Sequence, residues 1–205
     1  MKKKIIFISV IAIIFIIIII LIKINYKKIN LGNNKSNKSA NEVKEYILNI
    51  NSYTAELEVT INSNKNTNKY ILKQEYISGN IEKQTVIKPE NIKGIEIIYK
   101  DGNIEINNSK LNLSKIYNNY PYLSNNVMWL NSFIDNCKKN PENLNVYEEN
   151  EYIVMELNLI SNKYMANRKL YLEKGTGKPK KMIVQDDNKK DVIYILYKEI
   201  ELNKN

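Results

Sequence analysis

The spacing of apolar residues changes near residue 51, and the predicted element changes with it. From residue 40 to 50 apolar side chains recur every three or four positions, which predicts a helix with one apolar face. Ser39 and Glu42 have the spacing of a capping box at the start of this helix. From Tyr53 to Ile61 apolar and polar residues alternate, which predicts a half-buried strand.

Alternation and turn signals continue along the rest of the chain. Asp101-Gly102 is a strong signal for a two-residue hairpin turn. Residues 114–126 have no clear period and are predicted to form a loop or a broken helix, whereas 127–139 have one apolar face and predict a second helix. The further predicted strands are 70–78, 81–88, 94–99, 103–107, 144–148, 152–159, 168–173, 181–185 and 192–202, with a short one at 110–113.

This order of elements predicts a mainly β (α+β) fold. About ten or eleven strands joined by short turns indicate one antiparallel sheet rather than βαβ units. A sheet that large must curl or close. Because two helices are available to cover it, we expect an unclosed half-barrel wrapped around them, formed by one domain over residues 40–205.

The N-terminus has a different pattern. Lysines follow Met1 within residues 1–4, and residues 5–22 contain Ser9 as their only polar residue. A helix over 5–22 spans about 27 Å, close to the hydrocarbon thickness of a bilayer. No small-residue cleavage pattern and no cysteine follows it, so an uncleaved signal anchor is predicted. Residues 23–39 are polar and predict a flexible tether.

The orientation of this anchor depends on two opposing signals. The positive charges after Ile22 outnumber those before Ile5, which by a literal count places the C-terminal side in the cytoplasm. A short basic N-terminus before an apolar run is, however, the usual export signal, and long domains translocate largely regardless of charge. We therefore expect residues 1–4 in the cytoplasm and the domain outside the cell membrane or the forespore membrane.

The net charge of +9 does not indicate a nucleic-acid partner. Eight of the 31 basic residues are lysines within residues 1–39, which contain no acidic residue. The remaining basic residues nearly balance the 22 acidic ones, so the domain lacks the excess of positive charge that binding to a polyanion requires.

This sequence contains few of the residue types that usually act in catalysis. There is no histidine, and Cys137 is the only cysteine. Residues 148–151 and 186–191 are acidic but are predicted to be solvated turns, and Thr176-Gly177-Lys178 lacks the remaining residues of a phosphate loop. We therefore predict no catalytic residue, cofactor or metal, and a protein that is not an enzyme.

Aromatic residues concentrate outside the regular strands at Tyr117, Tyr120, Tyr122 and Trp129. Tyrosine and tryptophan combine apolar area with a polar group and are favoured at interfaces. Two interpretations remain open: the rings cap the mouth of the half-barrel, or they contact a partner.

Three stretches carry a resemblance to a known family. They are Ser52-Tyr53-Thr54-Ala55, the run from Tyr70-Ile71-Leu72-Lys73-Gln74 through Ile87-Lys88-Pro89, and the run Leu170-Tyr171-Leu172-Glu173, Thr176-Gly177-Lys178-Pro179, Val192-Ile193-Tyr194-Ile195 and Leu202-Asn203. With the order helix, meander, helix and strands, residues 40–203 resemble the lipoprotein carriers LolA and LolB. Within that group the chain is most similar to proteins related to the germination lipoprotein GerS of endospore formers.

The resemblance implies a non-catalytic accessory protein. GerS-like proteins bind and activate a peptidoglycan amidase, CwlD, that acts on the spore cortex, whereas LolA-like proteins carry lipid-modified chains in an apolar cavity. This chain departs from GerS because a predicted membrane helix replaces the lipid-modified cysteine. The leading hypothesis is a membrane-tethered amidase-binding protein of sporulation or germination, and the alternative is a carrier or sensor with lipid or a lipoprotein in the half-barrel.

A reporter fusion tests the predicted topology. Alkaline phosphatase fused after Asn205 is expected to be active, because the enzyme folds only outside the cytoplasm. A cytoplasmic reporter at the same position serves as the control. Activity of that reporter alone would reverse the orientation.

Overall fold

The computed structural model describes residues 38–100, 102–118, 126–159 and 165–203. These residues form one antiparallel sheet of eleven strands in the order β6-β5-β4-β3-β2-β1-β11-β10-β9-β8-β7. The strands are β1 Ser52–Asn62, β2 Thr67–Ile77, β3 Ile81–Lys88, β4 Glu96–Lys100, β5 Asn103–Asn108, β6 Leu113–Tyr117, β7 Leu144–Glu149, β8 Tyr152–Asn158, β9 Asn167–Glu173, β10 Pro179–Gln185 and β11 Asp191–Asn203.

Two α-helices accompany the sheet within these residues, α1 at Ala40–Leu48 and α2 at Leu130–Lys139. Single turns of 3-10 helix occur at Glu90–Ile92, Ser109–Leu111 and Pro141–Asn143. The expectation of a mostly β fold with an unclosed antiparallel sheet and two helices is confirmed.

The centre of the sheet is formed by the two ends of the domain. β1 pairs along its length with β11, from Ser52 opposite Asn203 to Ile61 opposite Ile193. Two antiparallel meanders, β1 to β6 and β7 to β11, meet at this pair. The terminal strands β6 and β7 are therefore the two edges of the sheet.

Most predicted strands and the tight hairpin are confirmed. β4 and β5 pair from Glu96 opposite Asn107 to Lys100 opposite Asn103, and Gly102 has the positive φ, 77°, that such a turn requires. The predicted strand at 110–113 is wrong. That segment starts with a 3-10 turn, and β6 extends to Tyr117, into the segment predicted to be a loop.

The start of α1 follows its sequence signal. The Ser39 side chain accepts a hydrogen bond from the backbone N–H of Glu42 at 3.3 Å, and the Glu42 carboxylate accepts one from the backbone N–H of Ser39 at 2.8 Å. This capping box satisfies N–H groups that the first helical turn leaves without partners. Val43 and Ile47 of α1 are fully buried.

One face of the sheet packs on the helices and forms the main core. Leu57, Val59, Leu170 and Met182 project from this face and are fully buried. The main core also contains the apolar side of α2, so burial of apolar area joins both helices to both meanders. The largest fully buried side chains are Trp129, Tyr53, Phe133, Ile47, Leu57, Leu130, Ile153, Met155, Leu157, Leu170, Leu172 and Met182.

A buried polar network fixes the position of α2. The Tyr53 hydroxyl of β1 lies 3.2 Å from Asn131 Oδ1 and 3.3 Å from Gln74 Oε1. Gln74 Nε2 donates to Gln84 Oε1 at 3.0 Å, and Asn131 Nδ2 donates to Glu82 Oε1 at 3.2 Å. Burial, and then the nearby Asp135, raise the pKa of Glu82. Strands β1, β2 and β3 are thus bonded to one end of α2.

The N-terminus of α2 lies against this network. Trp129 is the N-cap residue and makes no side-chain cap hydrogen bond. The Tyr53 hydroxyl lies 3.2 Å from Oδ1 of Asn131, in the first turn, and burial raises the pKa of this tyrosine well above its ordinary value. A strand side chain therefore holds the first turn of this helix through Asn131.

The predicted membrane anchor at residues 5–22, and its tether as far as residue 37, lie outside the described residues. Among the helices that the structure does describe, none is long and apolar enough to cross a membrane.

Replacing Tyr53 by Phe tests the network. The free energy of unfolding is expected to fall by roughly 1–3 kcal/mol, because buried partners lose their hydrogen bond. Denaturant unfolding of the full-length protein in detergent, followed by the fluorescence of Trp129, measures the change. Tyr197→Phe is the matched control: its buried hydroxyl has no partner among the described residues, so its removal is expected to cost no stability. Equal losses in both variants would contradict the assigned role.

Candidate functional site

Trp129 is part of the core. Only 1% of the residue is exposed, and its ring meets that of Tyr99 edge-on, with centroids 5.6 Å apart and an interplanar angle of 87°. Tyr99 in turn accepts a hydrogen bond at its hydroxyl from Asn126 Nδ2, at 3.0 Å. Trp129 therefore closes the core beneath the segment that leads into α2.

Tyr117 lies in a different environment. It is the last residue of β6, opposite Ile104, and 38% of it is exposed. The Lys115 ammonium lies 4.8 Å from the centre of its ring, within the range of a cation–π interaction.

Tyr120 and Tyr122 lie outside the described residues. The two described aromatic residues do not form one cluster, because Trp129 is buried and Tyr117 is on the surface. Whether these four residues cap the core or contact a partner remains a prediction. The structure shows that Trp129 is buried in the core and that Tyr117 is partly exposed.

The surface around Tyr117 is unusually apolar. We call residues 111–117 the β6 edge; it contains Leu111, Leu113, Ile116 and Tyr117, which are 69%, 46%, 59% and 38% exposed. In the described part of the chain, the only other large apolar residue with comparable exposure is Ile77, at 44%. A cluster of exposed apolar side chains on one edge strand and the turn before it marks an interaction surface.

β6 is also an edge strand of the described sheet. β6 pairs with β5 on one side, and no other described strand borders its second side. Edge strands present N–H and C=O groups that a further strand can bind. The β6 edge is therefore the candidate functional site.

Sequence reasoning missed Leu111, Leu113 and Ile116. A usable signal was present: these apolar residues lie in residues 106–134, which contain no acidic residue, and they precede the helical period that begins near residue 127. Apolar side chains that fit neither a core-facing helix nor an alternating strand are candidates for a surface that another molecule covers.

A depression of about 450 Å³ lies beside the β6 edge. It is lined by Thr85, Gly94, Glu96, Asn107, Asn108, Asn112, Leu113 and Ser114. This mostly polar lining does not match the apolar surface that an acyl chain requires.

The acidic and glycine-containing turns have structural roles. The Glu148 carboxylate pairs with the Lys174 ammonium at 2.7 Å. Asp186 Oδ1 accepts hydrogen bonds from the backbone N–H groups of Asn188 and Lys190, at 3.0 and 2.9 Å, and closes the hairpin between β10 and β11. Thr176 Oγ1 donates to Glu173 Oε2 at 2.6 Å.

Two ionisable side chains, Arg168 of β9 and Cys137 of α2, lie inside the core. Arg168 is the only arginine in the chain and is 2% exposed, with its guanidinium 5.6 Å from the Phe133 ring centre. Burial lowers its pKa to about 10. Burial raises the pKa of the Cys137 thiol to about 12, so this cysteine is a small apolar core residue and not a thiolate nucleophile.

Alanine substitutions separate the two described aromatic residues. Trp129→Ala is expected to lower the free energy of unfolding by about 3 kcal/mol or more, because it opens a cavity in the core. Tyr117→Ala is expected to change it by less than about 0.5 kcal/mol, as is usual for surface positions. Circular dichroism during denaturant unfolding measures both, and a large loss in Tyr117→Ala would contradict its surface role.

Comparison with solved structures relates the chain to a known protein complex. A chain in the structure of the CwlD amidase from Clostridioides difficile in complex with the GerS lipoprotein is similar to this chain, with 28% identity and a TM-score of 0.53. The match covers 80% of this chain and 93% of that chain.

Two more distant structures share lower similarity. An uncharacterised conserved protein from Thermus thermophilus has 11% identity and a TM-score of 0.50, over 82% of this chain and 90% of that chain. A LolA superfamily protein from Nitrosomonas europaea has 11% identity and a TM-score of 0.41, over 82% and 95%. At such identities the likeness concerns the fold alone.

Curated protein sequences give no significant match. The profile of the family described as sporulation protein YdcC-like, however, matches residues 2–205. Together with the similarity to the GerS complex, this match confirms the LolA-like, GerS-related resemblance seen in the sequence. The chain belongs to the YdcC-like family of sporulation proteins.

Proposed function

We propose that this protein is a non-catalytic accessory protein that binds a cell-wall amidase outside the membrane of a spore-forming cell and raises its activity. The observation that carries the proposal is the 28% identity, over 80% of the chain, to a chain of the complex between GerS and the CwlD amidase. Membership of a sporulation family supports the same cellular setting.

The described surface supports a binding role. The β6 edge exposes apolar side chains that a monomeric protein normally buries, and it ends in a tyrosine, a residue type enriched in interface hot spots. A partner that covered this edge would remove that apolar area from water and would complete the edge of the sheet.

The composition supports a role without turnover. The sequence has no histidine, and its one cysteine is buried with a raised pKa. The Ser-His-Asp and Cys-His arrangements of hydrolases therefore cannot be assembled from this chain's own side chains.

The domain organisation expected from the sequence fits this role. Residues 5–22 would anchor the chain in the membrane, residues 23–39 would form the tether, and the domain over 40–205 would act on the outer face. GerS is a lipoprotein. An apolar helix would give this chain membrane attachment by a different route.

The interior favours a binding protein over a lipid carrier. A carrier requires an apolar cavity large enough for its cargo. The helix-covered face of the sheet is instead occupied by large buried side chains, including Trp129, Phe133 and Leu157. We therefore place partner binding before the carrier hypothesis.

An activity assay tests the proposal. Full-length protein in detergent, added to the cell-wall amidase of the same organism, is expected to increase release of peptide from peptidoglycan, while the protein alone leaves peptidoglycan intact. Heat-denatured protein is the control for non-specific effects. Cleavage by the protein alone would refute the non-enzymatic role, and absence of both binding and activation would refute the amidase as partner.

A further inference from the structure

The two edges of the sheet are protected to different degrees. At β7, the Glu148 and Glu149 side chains are charged, Glu148 pairs with Lys174, and α1 packs against the strand. Charges and a covering helix are the usual means of preventing an edge from pairing with another strand. β6 has one charged side chain, Lys115, and no covering helix among the described residues, and all five of its side chains are exposed.

Apolar side chains of β6 project to both faces of the sheet. Leu113, Lys115 and Tyr117 lie on the helix-covered face, in register with Asn108, Ile106 and Ile104 of β5. Ile116 lies on the other face. A strand added beside β6 would therefore find apolar contacts on both of its own faces, as well as backbone hydrogen bonds.

The positive charge of this region favours an acidic residue in the added strand. Lys110 and Lys115 lie in a stretch, residues 106–134, that has no acidic residue. No ion pair within the described residues involves either lysine. An acidic side chain directly opposite Lys115 would form the cross-strand pair of opposite charge that stabilises a sheet.

The same charge argues against a second copy of this chain. Symmetric antiparallel pairing of two β6 strands with full overlap places Lys115 opposite its own copy, with Leu113 opposite Tyr117. Like charges directly opposite each other destabilise a strand pair. The surface is therefore better matched by a strand of a different protein.

We infer that the β6 edge docks an extended segment of the partner protein, in which apolar residues alternate with polar ones and an acidic residue faces Lys115. This inference rests on the proposed partner-binding function and specifies its surface and its chemistry. The segment adds to the sheet as one more strand beside β6.

A peptide probe tests the edge independently of any amidase. The probe is a capped peptide of alternating valine and threonine with one central glutamate, and the matched control carries lysine in place of the glutamate. Hydrogen exchange of the full-length protein, followed by mass spectrometry, is expected to show slower exchange in the segment containing residues 113–117 when the glutamate peptide is bound. The affinity of the protein for the lysine peptide is expected to be roughly twofold to fivefold weaker than for the glutamate peptide.

Charge reversal makes this test specific. In the Lys115→Glu variant the preference is expected to invert, so that the lysine peptide binds more tightly than the glutamate peptide. An unchanged preference, or absence of protection of residues 113–117 in the wild type, overturns the inference.

The second test measures the affinity of variants for the amidase. Ile116→Lys is expected to lower the affinity for the amidase at least tenfold, because it removes an apolar contact and adds a charge to the edge. The matched control is Ile77→Lys, which changes an isoleucine of similar exposure on β2 and is expected to alter affinity less than twofold. Circular dichroism checks that both variants fold.

The outcomes separate the two proposals. If wild-type protein does not bind the amidase, the proposed function fails. Peptide binding still tests whether the β6 edge docks an added strand. If the amidase binds but Ile116→Lys and Ile77→Lys have equal affinity, strand docking at β6 is refuted and the accessory function stands.

Discussion

The position of α2 depends on one buried hydroxyl, that of Tyr53. It connects the central strand β1 to Gln74 and to Asn131, in the first turn of a helix whose own N-cap residue, Trp129, has no capping side chain. Because a polar group inside a core must be satisfied, this network fixes the helix at one place over the sheet, which apolar contact alone does not specify. Burial of Phe133 and Leu130 then follows from that placement.

The sheet was predictable where a strand has one buried and one exposed face. β1 shows this pattern, with Ala55, Leu57 and Val59 buried between exposed or half-buried polar residues. β6 was missed because neither of its faces is buried, so its sequence contains no alternation to detect. The predicted start of α2 was too early, because the backbone of Trp129 is extended and its ring packs on Tyr99.

The candidate site was only partly predictable for a related reason. Tyr117 and Trp129 have similar interface character, but their exposure depends on pairing with distant strands, which local sequence does not determine. The resemblance to GerS-related proteins was recognisable from short motifs and is confirmed by the family match. The apolar β6 edge, where we place partner binding, could not be identified without the order of strands in the sheet. Only that order shows that β6 has one strand neighbour within the described chain.

The pairing of β1 with β11 has a consequence for how the domain is made. Residues near 52 and 203 must meet before the centre of the sheet exists, whereas the other strand pairs of the described sheet join strands that are consecutive in the chain. This one pairing is slow to form, because a long loop must close before its contacts stabilise it. The two meanders consist of hairpins between consecutive strands and can form separately, but the centre of the sheet is complete only when both ends of the domain have been made.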